Sequence, residues 1–283
     1  MARKGRQREE EPEEDLATIK ERLQAVLDQV IQDARQAVVL GQINRLPSTE
    51  PRVYKRFNKT HAGRIFTFMR TETLHLQLLA LTRLWDQGDR AMSIPRAVGW
   101  LRREDVLDDI VARRRAAFER RADEPNFSDA NGYTEEDRAV LRANDRVEAD
   151  RAEAEARAEA ERLCREAQAY LEGPLHMSLK VRRHRVIAHS LEITDQEIRA
   201  QRRGQVIDPI RVGDEEDILA ITLPLVVDIN RLARDLHVGF DNIRDIWGVY
   251  AEDYWLRFSG RPKKRRRLAD LPPITREDGD GAA

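Results

Sequence analysis

A short stretch between residues 179 and 192, LKVRRHRVIAHSLE, carries the side chains of this chain that are best suited to chemistry on a phosphate. It contains three arginines and two histidines, namely Arg182, Arg183, His184, Arg185 and His189. An arginine keeps its charge and can hold a phosphate through two parallel hydrogen bonds. A histidine can accept or give a proton near neutral pH. Together they supply what cleavage of RNA by its own 2′-hydroxyl needs, without a metal ion.

The stretch also has the spacing of a helix with one packed face. Leu175, Leu179 and Val186 are separated by four and seven positions, which places them on one side of a helix. The basic residues then form a cationic site on the remaining surface. A plainer interpretation stands beside this one, because charged side chains are most often exposed simply to water.

Helix geometry decides which arginine can reach His189 within one chain. At about 100° per residue, Arg183 lies roughly 120° around the helix axis from His189, whereas Arg182 and Arg185 lie on the side of His189. Pairing through Arg183 therefore requires a dimer cleft or a local distortion of the helix. A site within one chain favours Arg182 and Arg185.

The composition predicts an all-α protein. Charged residues make up 36% and hydrophobic residues 41% of the 283 positions, while aromatic residues make up only 6%. This balance is typical of a domain with long solvated helices. The formal net charge of -1 gives no overall attraction to nucleic acid, so RNA binding has to come from local clusters.

Cysteine usage and hydropathy bear on the compartment. The single cysteine, Cys164, excludes a disulfide within the chain. No apolar run is long enough to span a bilayer, and the first residues lack the apolar core of a signal peptide. We therefore expect a cytoplasmic protein that does not engage a membrane.

Charge divides the chain into three parts. Residues 1–15 are mostly charged and are predicted to be a disordered tail. Residues 16–258 carry the helical patterns and are predicted to form one domain. Residues 259–283 are predicted to be a basic disordered tail, in which Lys263, Lys264 and Arg265 can attract RNA. A purely solubilising tail is an equally good interpretation.

The first half of the domain shows two strong helical patterns. Apolar residues at threes and fours predict a helix from Leu16 to about Ile43, followed by a loop that contains Pro47 and Pro51. A second helix is predicted over residues 61–86, and its apolar second half suggests the most buried helix of the domain. His75 lies in it and is expected to bond to a neighbouring carbonyl rather than to act in catalysis.

Residues 112–172 have a different character. They are rich in alanine, arginine and glutamate, with acid–base pairs three and four apart and few large apolar side chains. This predicts a long charged helical insertion that is solvated and lies outside the core, with Cys164 inert within it. A helical scaffold protein without catalytic function would show the same pattern.

The motif from Arg183 to His189 resembles that of the HEPN superfamily (higher eukaryotes and prokaryotes nucleotide-binding). In that motif an arginine and a histidine lie a few residues apart, often with a polar residue directly after the arginine, as His184 is here. The Ala-His-Ser ending and the upstream segment LLALTRLWDQGDRAMSIPRAVGWL are similar to the AbiU-like abortive-infection branch. The resemblance covers residues 16–107 and 175–258.

This resemblance implies a HEPN-like up-and-down helical bundle that forms a homodimer with two motifs in one cleft. It implies a metal-independent endoribonuclease without a cofactor, acting in phage defence or as the toxin of a toxin–antitoxin pair. Arg183 would stabilise the scissile phosphate, His189 would transfer the proton, and His184 would orient the site. The remaining basic residues would bind RNA, and an antitoxin protein would be a further partner.

One position departs from the family pattern. Some HEPN toxins carry a tyrosine two residues after the histidine, where an antitoxin attaches a nucleotide, and this chain has Leu191 there. Control by that route is not expected. The alternative hypothesis is a non-catalytic HEPN-fold protein that binds RNA, a nucleotide or a partner protein.

Overall fold

The computed structural model describes residues 15–58, 61–119, 131–183, 202–203, 210–211 and 213–257. All regular structure within these ranges is helical, so the all-α prediction is confirmed. The helices are α1 (Leu16–Thr49), α2 (Pro51–Phe57), α3 (His61–Leu84), α4 (Ile94–Leu101), α5 (Glu104–Glu119), α6 (Glu135–Glu172), α7 (Pro174–Arg182), α8 (Asp214–Arg234) and α9 (Asp241–Glu252), followed by a π-helical turn (Asp253–Arg257). No helix in the described ranges is apolar over enough length to cross a bilayer.

Helix α1 is the element around which the others pack. The Asp15 carboxylate caps its start by accepting a hydrogen bond from the Thr18 amide at 2.8 Å. Its apolar residues recur at threes and fours from Ile19 to Val38 and are buried. Helices α3, α4, α8 and α9 all contact it. The expectation that the helix over residues 61–86 would be the most buried is wrong, because eleven of the 21 residues of α8 are buried while the first half of α3 is largely exposed.

The predicted end of α1 near Ile43 and the loop after it are also wrong. The helix continues through Pro47 to Thr49, and Glu50 alone separates it from α2. A proline inside a helix removes one backbone hydrogen bond. Pro47 is buried here, so its packing offsets that loss.

Helix α3 is buried mainly in its second half, and Phe66 is the buried apolar residue of its first half. Leu78, Leu81 and Leu84 are almost fully inaccessible, as is Trp85 just beyond the helix. The first half is more exposed and presents large apolar side chains to solvent, including Ile65 and Phe68. The apolar positions of α3 therefore belong to two surfaces, one in the core and one outside it.

Helices α5 and α6 form an antiparallel hairpin. Arg115 on α5 binds Asp150 at 2.7 Å and Glu153 at 2.8 Å, and Arg157 on α6 binds Asp108 at 2.8 Å. The later residue on α5 pairs with the earlier residues on α6, so the two helices run in opposite directions. The charged pattern of residues 112–172 thus gives a long charged helix, as predicted.

The prediction that this stretch lies outside the core is wrong for the second half of α6. Alanines at helical spacing are buried there, together with one leucine, one tyrosine and the cysteine: Ala156, Ala160, Leu163, Cys164, Ala167 and Tyr170. Alanines allow α6 to approach α4 and α8 closely. Side chains of low volume do not reveal in the sequence whether they are exposed or closely packed. Whether the stretch is an insertion stays a prediction.

Candidate functional site

Helix α7 carries the first part of the basic stretch and is fixed to the bundle by its other face. Pro174 occupies its first turn, where the missing N–H costs little. Leu179 and Val181 are buried among the core residues. This anchoring places the two residues at the far end of α7, Arg182 and Arg183, against the second half of α3 and the turn after it.

Only two of the predicted site residues belong to the described part of the chain. These are Arg182 and Arg183, which are adjacent and contact different partners. The others lie outside the described residues, namely His184, Arg185, His189, Lys263, Lys264 and Arg265.

Arg182 contacts a histidine that the sequence did not assign to the site. Its Nη2 atom lies 3.4 Å from Nε2 of His75 on α3. The His75 side chain is 20% exposed, and its Nδ1 atom lies 3.7 Å from a carboxylate oxygen of Glu72, one turn earlier on the same helix. The result is a row of three side chains, Glu72, His75 and Arg182, at the junction of α3 and α7.

The contact with Arg182 selects one tautomer of His75. A guanidinium group only donates hydrogen bonds, so Nε2 of His75 has to accept. The ring proton then lies on Nδ1, on the side of the Glu72 carboxylate. His75 therefore holds a lone pair on Nε2, next to a cation and backed by an anion.

Arg183 lies beside an anchored carboxylate. Its Nη1 atom is 3.3 Å from Oδ2 of Asp86, and the two side chains are 33% and 32% exposed. The other oxygen of Asp86 accepts from the Gly88 amide at 3.0 Å, while its backbone carbonyl accepts from the Ser93 hydroxyl at 2.6 Å. The turn between α3 and α4 thus holds Asp86 in place for Arg183.

The guanidinium of Arg182 is only partly satisfied. Within the described ranges its Nε atom is buried and has no hydrogen-bond partner. A buried donor without a partner is uncommon and costs about 1–3 kcal/mol. Arg182 therefore has an unused donor directly beside its contact with His75.

A further histidine, His176 on α7, lies inside the bundle. It is 3% exposed, and its ring packs edge-on against Tyr170 at 5.5 Å. Burial, with a smaller effect of the nearby Lys180, lowers the pKa of His176 to about 4. Burial also raises the pKa of the Tyr170 phenol. His176 is consequently neutral at physiological pH and belongs to the buried interior.

The sequence signal for His75 was weak but present. Glu72 and His75 are three positions apart and so share a helix face. The expected partner was a neighbouring carbonyl, but in the described structure the ring contacts Glu72 and Arg182 instead. No pattern along the chain reveals that α7 would cross α3 at this point.

Comparisons with known proteins found no similar protein. No family model, no curated protein and no solved structure matches this chain. Among the described residues, no group of three or more histidine, cysteine, aspartate or glutamate side chains is arranged to hold a metal ion.

Proposed function

We propose that this chain is a HEPN-type endoribonuclease that cleaves RNA without a metal ion, in phage defence or as the toxin of a toxin–antitoxin pair. The observation that supports this is the pair Arg182 and Arg183 at the end of α7, which lie at a partly exposed junction beside His75 and Asp86. Two permanent cations next to a proton-accepting ring nitrogen form a surface suited to a phosphodiester.

The proposed reaction is an attack of the RNA 2′-oxygen on the adjacent phosphorus. The new 2′-O–P bond forms while the P–O5′ bond breaks, which leaves a 2′,3′-cyclic phosphate and a free 5′-hydroxyl. Arg183 neutralises the phosphorane, and His189 gives a proton to the departing 5′-oxygen, with His184 orienting the site. Positioned cations in such a site are often the largest single contribution to catalysis.

The Arg183–Asp86 contact suits exchange with substrate. An ion pair with this exposure contributes only about 0–1 kcal/mol to stability, so a phosphate can displace Asp86 at little cost. Arg182 and Arg185 would hold the neighbouring phosphates. The basic run at Lys263, Lys264 and Arg265 would add attraction that does not depend on RNA sequence.

The proposal includes a homodimer and, for a toxin, an antitoxin protein as partner. A second chain would bring a second copy of the arginine–histidine motif to the same cleft. This matters for Arg183 and His189, because residues six apart would fall on different sides of a straight helix. No cofactor is required by this chemistry.

Cleavage of RNA in EDTA tests the proposal. The purified full chain is incubated with a labelled RNA, and both products and their 2′,3′-cyclic ends are measured. His189→Ala and Arg183→Ala should each slow cleavage by about 10²- to 10⁴-fold, the usual scale for losing one such group. His237→Ala, which changes an exposed histidine between α8 and α9, serves as the matched control.

Two outcomes contradict the proposal. Cleavage that continues unchanged in His189→Ala shows that another group, or a contaminant, performs the reaction. Binding of RNA without cleavage by the wild-type chain favours the non-catalytic alternative instead.

A further inference from the structure

We infer that His75 is the general base of this site, oriented by Glu72 and placed beside the phosphate by Arg182. The inference rests on the proposed function, which assigns His189 as the acid and leaves the proton of the 2′-hydroxyl without an acceptor. It adds two residues from α3, Glu72 and His75, to a site that the sequence placed on the basic stretch alone.

The tautomer of His75 is the one that a base requires. Nε2 carries a lone pair, because it accepts from Arg182 across 3.4 Å. Nδ1 carries the proton and lies 3.7 Å from the Glu72 carboxylate. When Nε2 takes a proton, that carboxylate stabilises the imidazolium that forms. A carboxylate, a histidine and a reacting hydroxyl in this order form a common arrangement for activating a nucleophile.

Arg182 occupies the place that the substrate hydroxyl would take. Its Nη2 atom binds Nε2 of His75, while its own Nε atom has no partner among the described residues. A phosphate accepts hydrogen bonds from a guanidinium group, so a bound phosphate would replace His75 as the partner of Nη2. This exchange releases Nε2 of His75 and puts the 2′-hydroxyl of the same nucleotide beside it.

The protons then balance over the reaction. His75 takes the proton from the 2′-hydroxyl as the 2′-oxygen bonds to phosphorus, and becomes an imidazolium. His189 supplies a proton to the 5′-oxygen as the P–O5′ bond breaks. The two histidines exchange protonation states, and water restores them after product release. No oxidant, reductant or co-reactant is needed.

A substrate with sulfur in place of the bridging 5′-oxygen separates the two roles. A thiolate leaves without receiving a proton, so loss of the acid does not slow this substrate, whereas loss of the base still does. We expect His75→Ala to cleave ordinary RNA about 10²- to 10⁴-fold more slowly and to remain as slow, relative to wild type, on the 5′-thio substrate. His189→Ala should regain most of its rate on the same substrate.

Matched variants distinguish proton transfer from packing. His75→Gln keeps a side chain of similar length but cannot act as a base, so it should be as slow as His75→Ala. Glu72→Gln should lose rate in the same direction, but less. Binding of an RNA with a 2′-deoxy nucleotide at the cleavage position should stay within about twofold for all three, since the arginines remain. His237→Ala is the control for a histidine outside the site.

The results that overturn the inference are distinct from those that overturn the proposed function. A wild-type chain that cleaves no RNA in EDTA removes both. If wild type cleaves, an unchanged rate in His75→Ala or a restored rate in His75→Gln removes His75 as the base. Rescue of His75→Ala by the 5′-thio substrate also overturns it, because that result would make His75 the acid.

Discussion

At the scale of single residues, exposure separates charged contacts that hold the fold from those available to a ligand. Arg83 binds Asp33, whose side chain is 5% exposed, and the same guanidinium also reaches Gln36. Removing Arg83 would leave the buried Asp33 carboxylate without its cation, which is strongly destabilising. In the pair Arg183–Asp86 the carboxylate is much more open, since the Asp86 side chain is 32% exposed. Its charges can change partners without disturbing the core.

His176 gives a prediction about pH. Its folded pKa, about 4, lies below the ordinary value of 6.5, so the unfolded chain takes up a proton first as the pH falls. Above pH 6.5 the group is neutral in both states and has no effect. As the pH falls from 6.5 to 4, protonation of His176 in the unfolded chain should lower the free energy of unfolding by up to about 3 kcal/mol.

His176→Phe keeps an aromatic ring against Tyr170 and removes the titration. We expect its stability at pH 7 to equal or exceed that of wild type, because two buried nitrogens without described partners are lost. At pH 4.5 it should be the more stable protein by about 1–3 kcal/mol, as measured by urea unfolding at both pH values. Equal acid sensitivity in the two proteins would show that His176 is not the group responsible.

At the scale of elements, periodicity in the sequence predicts helices well, but it does not predict which helices pack against one another. The repeat from Ile19 to Val38 is enough to predict α1 and its buried face. Its extension through Pro47 depends on tertiary packing, which the local pattern does not contain. The crossing of α7 over α3 likewise depends on packing between distant segments, so the contact between Arg182 and His75 was not predictable.

Helix α6 shows a second reason for failure. Its buried face is built largely from alanine, and a stripe of alanines looks the same in sequence whether it faces solvent or a close neighbour. Leu163 and Tyr170 are the only large apolar residues among the buried positions of α6. Small size permits close packing, so the helices around it determine whether such a stripe is buried.

This interpretation of α6 is tested by one substitution at two alanines. Ala156 is fully buried, whereas Ala158, two positions later, is exposed. Ala156→Leu should lower the free energy of unfolding by about 1–3 kcal/mol, because the packed neighbours have no room for the larger side chain. Ala158→Leu should change it by less than about 0.5 kcal/mol. Similar effects at both positions in chemical denaturation would contradict the burial of this face.

At the scale of the whole molecule, the near-zero net charge leaves apolar surface as the main driving force for association. Two exposed apolar stripes stand out among the described residues. The stripe on α3 is formed by Ile65, Phe68, Met69 and Leu76. The other stripe, on α9 and the π-helical turn, is formed by Ile246, Val249, Tyr250 and Tyr254. Exposed apolar patches of this kind mark interaction surfaces.

The proposed homodimer should use the stripe on α3, because that helix also carries His75, so pairing there would bring two sites together. Phe68 is 65% exposed, and Phe68→Glu should weaken the dimer by at least about 2 kcal/mol, or roughly 30-fold in dissociation constant. Val249→Glu introduces the same charge on the other stripe and should leave the dimer intact. Sedimentation equilibrium over a range of concentrations measures both. A wild-type chain that stays monomeric removes the dimer from the proposed function, and dissociation caused by Val249→Glu alone moves the interface to α9.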